Sequence, residues 1–310
     1  MKTLITGATG LIGQALTQSL LNDGHAIVVL SRKPEMVRAR IGVEVYQWEP
    51  EVGPPPAEAL REVDAVVHLA GESVAARRWT AEQKRRIRNS RMVGTRNLVA
   101  GLQAATTRPS VLVSASAVGF YGDRGDEQLD ERASAGHDFL SGVCQEWERE
   151  SGRAGELGMR VVQVRVGVVL SAEGGALPRM LPAFKLGVAG RLGSGQQWFP
   201  WIHIADIVGL FRHAMQAPQL SGPMNGAAPG IVTNAEFTKV LASVLHRPAF
   251  LPAPRLALNF ALGEMSELLL ASLRVVPRVA METGYQFRYP ELKAALEDLL
   301  RRPRAAAAPA

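Results

Sequence analysis

The segment KTLITGATGLIG, residues 2–13, limits what this chain can fold into more than any other stretch. A short apolar strand runs into the glycines of a G-x-x-G-x-x-G spacing, Gly7, Gly10 and Gly13, and then into an apolar-periodic segment that ends at Gly24. Glycines there allow a sharp strand-to-helix turn and close approach of a pyrophosphate, which the free N–H groups and positive dipole end of the helix can hold. The same spacing also serves a tight turn that carries no ligand. Context favours the dinucleotide, because a second strand, AIVVLSR, follows at the distance that a βαβ unit requires.

VEVYQW, AVVHLAG, SVLVSASA and RVVQVRVGVVL read as the third to sixth strands, with helical patterns between most of them. This alternation predicts an α/β fold built on a parallel sheet with helices on both faces. EVGPPPAEA interrupts the rhythm as a loop before a short helix. Thr80 to Gln83 has capping-box spacing, and the helix it opens runs to about Ala105, with Ile87, Gly94, Leu98 and Leu102 on one side. Arg91 shares that side, where it can snorkel, pair with a carboxylate or reach an anion held above the sheet.

From Ser171 onward the chain turns rich in Gly, Pro and aromatics, which reads as loops and short elements of a cap. IADIVGLFRHAMQ returns to helical period, and TNAEFTKVLASVL opens with a second capping box at Thr233 and Glu236. The expected division is a dinucleotide-binding domain over 1–170 with 199–230 returning to it, a cap over 171–198 and 231–300, and a disordered tail over 301–310. RLALNFALGEMSELLLASLRVV is interrupted by Glu264 and Glu267, so it reads as an amphipathic core helix rather than a membrane span.

Composition narrows the class further. With 47% hydrophobic and 21% charged residues the chain has the apolar material for packed cores, which excludes disorder as the default. The lone Cys144 cannot form an internal disulfide or a cysteine-rich metal site, which fits a reducing, cytoplasmic setting. The chain passes from Met1 directly into a strand, so no signal peptide is expected. A formal charge of +6 comes from arginine runs that read as solvated helix faces, and no nucleic-acid partner is expected, nor any membrane. A homodimer is the candidate assembly.

After the second strand, where an NAD enzyme commonly keeps an acid for the ribose hydroxyls, this chain has Ser31, Arg32 and Lys33. An acid would repel a 2'-phosphate, whereas a hydroxyl and two cations hold one, so NADP(H) is the favoured cofactor.

With GATGLIG, LSRKP, HLAGE, SASAVGFYG and FPWIHIADI in order, the chain resembles the extended short-chain dehydrogenase/reductase superfamily. More narrowly it resembles the epimerase-like subfamily with a distinctive C-terminal segment of unknown function, through AGESVAARRW with SRMVGT, RVGVVLSAEGGAL, GSGQQWFPWIHIAD and GYQFRYPELKAAL. The resemblance implies a Rossmann-type doubly wound parallel sheet with a smaller C-terminal substrate domain, and NADP(H) contacts at Gly7, Thr9, Gly10, Leu11, Ile12 and Gly13. It implies further contacts at Ser31 and Arg32, at Leu69 and Ala70, at Arg91 and near Val169.

One part of the pattern is missing. The superfamily transfers protons with a Y-x-x-x-K pair on the helix after the fifth strand, because a phenol with an ordinary pKa of about 10 needs a cation beside it to work at neutral pH. Here Leu140 and Cys144 stand at those positions, with Glu148 four residues on. Phe139, Leu140, Val143, Cys144 and Trp147 form an i, i+3, i+4 apolar face, so Cys144 reads as a core hydrophobe and not a nucleophile. The candidate catalytic residues are Ser116 and Tyr121, with Glu72 as a further acid or base. His203 and Asp206 read as organisers of a loop-to-helix turn, and Trp198 and Trp201 as cleft lining or cap packing. The expected function is an NADP(H)-dependent, epimerase-like oxidoreductase or isomerase acting on a small polar substrate. The alternative is a catalytically silent NADP(H) sensor or partner-binding protein.

Overall fold

Alternating apolar strands and periodic helices assemble, in the computed structural model of the chain, into a seven-stranded parallel sheet. The structure describes residues 1–35, 37 and 43–301, so the tail expected over 301–310 lies outside the described residues except for Arg301. The strands are β1 (Lys2–Thr6), β2 (Ala26–Ser31), β3 (Glu44–Gln47), β4 (Ala65–His68), β5 (Val111–Ala117), β6 (Arg160–Val166) and β7 (Gly222–Gly226). Their order is β7-β6-β5-β4-β1-β2-β3, which reverses direction between β1 and β4. That reversal opens a crevice at the carboxyl ends of the two strands, the place where open α/β sheets take ligands.

Side-chain alternation along each strand decides what covers each face. Ile5, Val29, Val67 and Val113 point to one side, where they meet Leu16 and Leu20 of α1 (Leu11–Asn22). The helix carrying IADIVGLF packs on the same side through Ile207, Leu210 and Phe211. Leu4, Val28, Val66 and Leu112 point to the other face, against Leu98, Val99 and Leu102 of α2 (Ala81–Ala104). Both faces are covered, as the near-continuous apolar strands require.

The remaining helices are α3 (Phe139–Gly152), α4 (Leu177–Lys185), α5 (Ile204–Gln216), α6 (Asn234–Leu245), α7 (Arg255–Leu262) and α8 (Leu292–Leu300), with shorter helical turns at Glu267–Leu270 and Arg278–Glu282. A separate apolar cluster joins α4, α6 and α8 through Leu177, Phe184, Phe237, Leu241 and Leu296 around the buried Trp201. The second capping box is complete, since Thr233 and Glu236 each accept the other's backbone N–H. The first is half made: Thr80 caps Gln83 N–H, but the Gln83 amide turns toward Glu72 at 3.4 Å instead of reaching back.

Two elements differ from the sequence reading. The run over 160–170 is not one strand: Gly167 breaks it, and 168–170 leaves the sheet to pair with Trp201–His203. A Cβ at Gly167 would lie 2.3 Å from the Pro200 carbonyl oxygen, so only glycine lets the two segments cross. The apolar run from Arg255 is not one core helix either. It breaks at Gly263, whose φ of +62° is left-handed, and α7 buries none of its residues. Helical periodicity was present, but no apolar layer faces it.

Candidate functional site

The phosphate loop is built by three glycines with unequal roles. Gly7 takes φ +71°, and a Cβ there would sit 2.7 Å from the Leu69 carbonyl carbon. A Cβ at Gly13 would lie 2.2 Å from the Gly7 carbonyl oxygen, so α1 can press against the turn only without a side chain. Gly10 caps α1 with no side-chain acceptor, which leaves the first-turn N–H groups without an internal cap.

A ledge after β4 is locked to this loop. Thr6 Oγ1 accepts from both Leu69 N–H and Ala70 N–H at 3.2 Å, and pairs with His68 Nδ1 at 2.7 Å. His68 Nε2 in turn meets Thr95 Oγ1 at 2.9 Å. Burial drives the imidazole down to about 4, so it stays neutral and acts as a brace between β4 and α2.

Loop and ledge form two sides of a cleft of about 740 Å³ lined by residues 7–10, 29–33, 48–51 and 69–72, together with Val37 and Ser90. Gly7, Thr9, Gly10, Ser31, Arg32, Leu69 and Ala70 all lie on it. Ser31 Oγ accepts from Lys33 N–H at 3.1 Å, and Arg32 and Lys33 extend into solvent at one end. Leu11, Ile12 and Gly13 stand behind the loop on α1, and Val169 lies in the short pair with Ile202. The wall Trp48 to Glu51 was missed in the sequence. Trp48 is buried and donates to the Gly53 carbonyl, which fixes the turn after β3; the only signal was an aromatic ending a predicted strand.

Arg91 reaches from α2 beneath the ledge. Its Nη1 donates to the carbonyls of Glu72 at 2.9 Å and Ile87 at 3.1 Å, and its guanidinium lies 5.0 Å from the Trp147 ring. A Cβ on Gly71 would be 3.3 Å from Cζ, so glycine at 71 makes room for this charge. Glu72 lines the cleft, and its N–H donates to Ser90 Oγ.

Ser116 and Tyr121 belong to one buried polar network. Ser116 Oγ donates to Glu148 at 2.6 Å, and Glu148 holds Arg165 through two bonds of 2.8 Å. Arg165 donates to the Tyr121 oxygen at 3.0 Å, and Tyr121 donates to Asn225 at 2.7 Å. Phe120 stacks 3.5 Å from the Arg165 guanidinium. Burial raises the Tyr121 phenol to about 12 despite Arg165 beside it, and the ring has no exposed surface. In this arrangement its proton is committed to Asn225.

Cys144 is buried on α3, and burial, seconded by the Glu148 charge, pushes its thiol up to about 12. A thiol held protonated is no nucleophile at neutral pH. Native protein is therefore expected to be inert to a disulfide-exchange thiol reagent and to react stoichiometrically once unfolded; fast labelling of the native state would give Cys144 a chemical role.

The turn residues behave as organisers. His203 caps α5, with Nδ1 accepting from Ala205 N–H at 3.0 Å. Asp206 is buried and accepts from Arg288 N–H, Tyr289 N–H and the Tyr285 hydroxyl, which ties the GYQFRYP segment to the start of α5. Trp201 is buried and donates to Gly230 O, whereas Trp198 is half-buried, donates to Asp126 and lies under Arg274. A second cavity, of about 510 Å³, opens between Asp123, Asp138 and the segment around α7.

A parallel sheet reversing at a glycine-rich loop, with a basic end beside β2, defines a Rossmann-type α/β protein. The chain belongs to the NAD dependent epimerase/dehydratase family, whose sequence profile matches residues 3–225; a domain of unknown function, DUF1731, matches 253–299. It is 41% identical over 300 residues to epimerase family protein Mb2239 of Mycobacterium bovis, covering 96% of this chain and 97% of that one. It is 38% identical over 304 residues to human epimerase family protein SDR39U1, covering 97% and 100%. The crystal structure of human SDR39U1 (isoform 2) with NADPH superposes with a TM-score of 0.87 at 37% identity, covering 96% of this chain and 99% of that one. A nucleoside-diphosphate sugar epimerase from Corynebacterium glutamicum gives 0.79 at 36% identity, covering 97% of this chain and 58% of that one.

Proposed function

We propose that the protein binds NADP(H) and acts in the cytoplasm as an epimerase-like oxidoreductase or isomerase on a small polar substrate. The observation that carries this is the single cleft joining the glycine loop, the Ser31–Lys33 turn and the Leu69–Glu72 ledge. The residues fit the cofactor: uncapped N–H groups and side-chain-free glycines suit a pyrophosphate, and Ser31 with Arg32 suits a 2'-phosphate. The relative crystallised with NADPH supports the same assignment. When bound, the nicotinamide would exchange a hydride with substrate.

The chain's own residues then supply orientation and proton handling. Ser116, at the carboxyl end of β5, is the candidate to meet the substrate, and its hydroxyl is oriented by Glu148. Glu72 on the cleft wall is the candidate acid or base. Tyr121 is reassigned as a positioning group, because its hydroxyl is shared between Asn225 and Arg165. We assign 171–198 and 231–300 to the substrate side. The buried, unactivated Cys144 and Tyr121 favour, as the second reading, an NADP(H) sensor that does not turn over.

Titration of NADPH and NADH, followed by tryptophan fluorescence, tests the cofactor. NADPH is expected to bind more tightly, and Arg32→Ala to weaken it about tenfold or more through loss of a charge-assisted hydrogen bond, with NADH unchanged. Equal affinity for both nucleotides would remove the assignment. Consumption of NADPH in a substrate screen, reduced by Ser116→Ala, separates the enzyme from the sensor.

A further inference from the structure

Helix α7 is held at its ends and not along its body. It buries none of its residues, and the second cavity lies between Arg255 and Asn259 on the helix and Asp123 and Asp138. A helix of 8 residues with no buried face has little local stability of its own.

Polar contacts fix the two ends. Ala253 N–H donates to Arg191 O at 2.9 Å just before the helix begins. At its other end Arg78 Nη2 donates to Phe260 O at 2.6 Å, one of the last-turn carbonyls that a helix cannot satisfy internally. Glu264, just past the helix, pairs with Lys84, and Ser266 Oγ donates to Asn259 Oδ1 at 2.8 Å.

Arg78 leads back to the cofactor cleft. Residues 69–80 run without helix or strand from the end of β4 to α2. Their first part is the ledge, where Leu69, Ala70, Gly71 and Glu72 line the cleft. Glu72 is held from three points of α2: Arg91 Nη1 donates to its carbonyl, its N–H donates to Ser90 Oγ, and Gln83 Nε2 donates to its carboxylate. Their last part reaches the cap. Trp79 is buried in a cluster with Ile87 and Val143, and Val74, Met265 and Leu268 pack against it. Trp79 Nε1 donates to Val74 O at 2.8 Å, which folds the segment on itself, and Ala75 O accepts from Arg179 of α4 at 3.1 Å. One wall of the cleft is therefore continuous with the support for α7, Met265 and Leu268.

We propose that residues 69–80 act as a strap that passes occupancy of the cofactor cleft on to α7. NADP(H) lying against Leu69–Glu72 holds the ledge in one position, the ledge fixes Arg78 and Trp79, and α7 is ordered with them. With the cleft empty, strap and helix loosen together. Such coupling needs no new contact, because ordering one end of a short segment lowers the entropy lost in ordering the other. The inference rests on the NADP(H) assignment. It gives an enzyme a cap that tightens on the loaded protein, and a sensor a signal at its surface.

Hydrogen–deuterium exchange of the full chain, with and without NADPH at a concentration that saturates the tryptophan quench, tests it. NADPH is expected to slow exchange in α7 about fivefold or more, the lower end of ordinary coupling between sites, while α6 keeps its rate. Arg78→Ala should remove that slowing. Arg78 is exposed and lies off the cleft lining, so NADPH affinity should fall by no more than the same factor, as the reciprocity of coupling requires. Unchanged exchange in α7 with NADPH bound, or slowing that persists in Arg78→Ala, overturns the strap and leaves the cofactor assignment standing. Equal slowing in α6 and α7 also overturns it, because that is global stabilisation by mass action. Absence of any NADPH quench overturns the cofactor assignment and the strap with it.

Discussion

Gly13→Val is expected to be among the most damaging single changes in the molecule, costing about 3 kcal/mol or more and abolishing NADPH binding. The new side chain would begin 2.2 Å from the Gly7 carbonyl oxygen and 2.7 Å from the Ala8 Cα, both backbone atoms that cannot swing aside. Relief requires lifting α1 off the turn, which dismantles the loop that offers its N–H groups. Gly10→Ala makes the control, because its Cβ meets only the Gly7 oxygen at 3.3 Å and its φ of −77° suits any residue. Urea unfolding should rank the two well apart. Equal, small losses of stability in both would mean that α1 does not depend on close contact at Gly13.

Arg165→Met is the second large effect, expected to destabilise by about 3–5 kcal/mol. Arg165 and Glu148 expose 4% and 13% of their side chains, so removing the cation strands a carboxylate where water barely reaches. It also takes the donor from Tyr121. The double variant Arg165→Met with Glu148→Leu should recover much of the loss, since a buried ion pair offsets mostly its own desolvation. If the double variant is as unstable as the sum of the singles, the pair is not acting as a coupled unit. Ser116→Ala separates catalysis from stability here, because it removes one donor to Glu148 and leaves both bonds from Arg165 in place.

Much of the site was legible because it is local. The glycine loop and the Ser31–Lys33 turn each lie within a few residues, at positions that a strand's end dictates, whereas Leu69 and Ala70 of the ledge were pointed to by the family resemblance. Arg91 was also legible, since helical spacing alone puts it on the inner side of α2. Periodicity failed where its meaning depends on a distant partner. The amphipathic run from Arg255 has helical period, yet α7 buries none of its residues and finds no core. The long strand over 160–170 looked continuous because the clash that breaks it comes from Pro200.

The same distinction holds for the chemistry. By itself the sequence determined the sheet, the helices on its two faces, the cofactor class its turns suit and the absence of a lysine at 144. Those follow from short-range sterics, side-chain alternation and residue identity. Only the tertiary structure decided that Tyr121 has its proton engaged by Asn225, that Glu148 faces Arg165 across two elements, and that Asp206 clasps the C-terminal segment. These partners are 17 to 104 residues apart. No pattern along the chain encodes such pairings, because they are set by how strands and helices from separate parts of the sequence converge around buried charges.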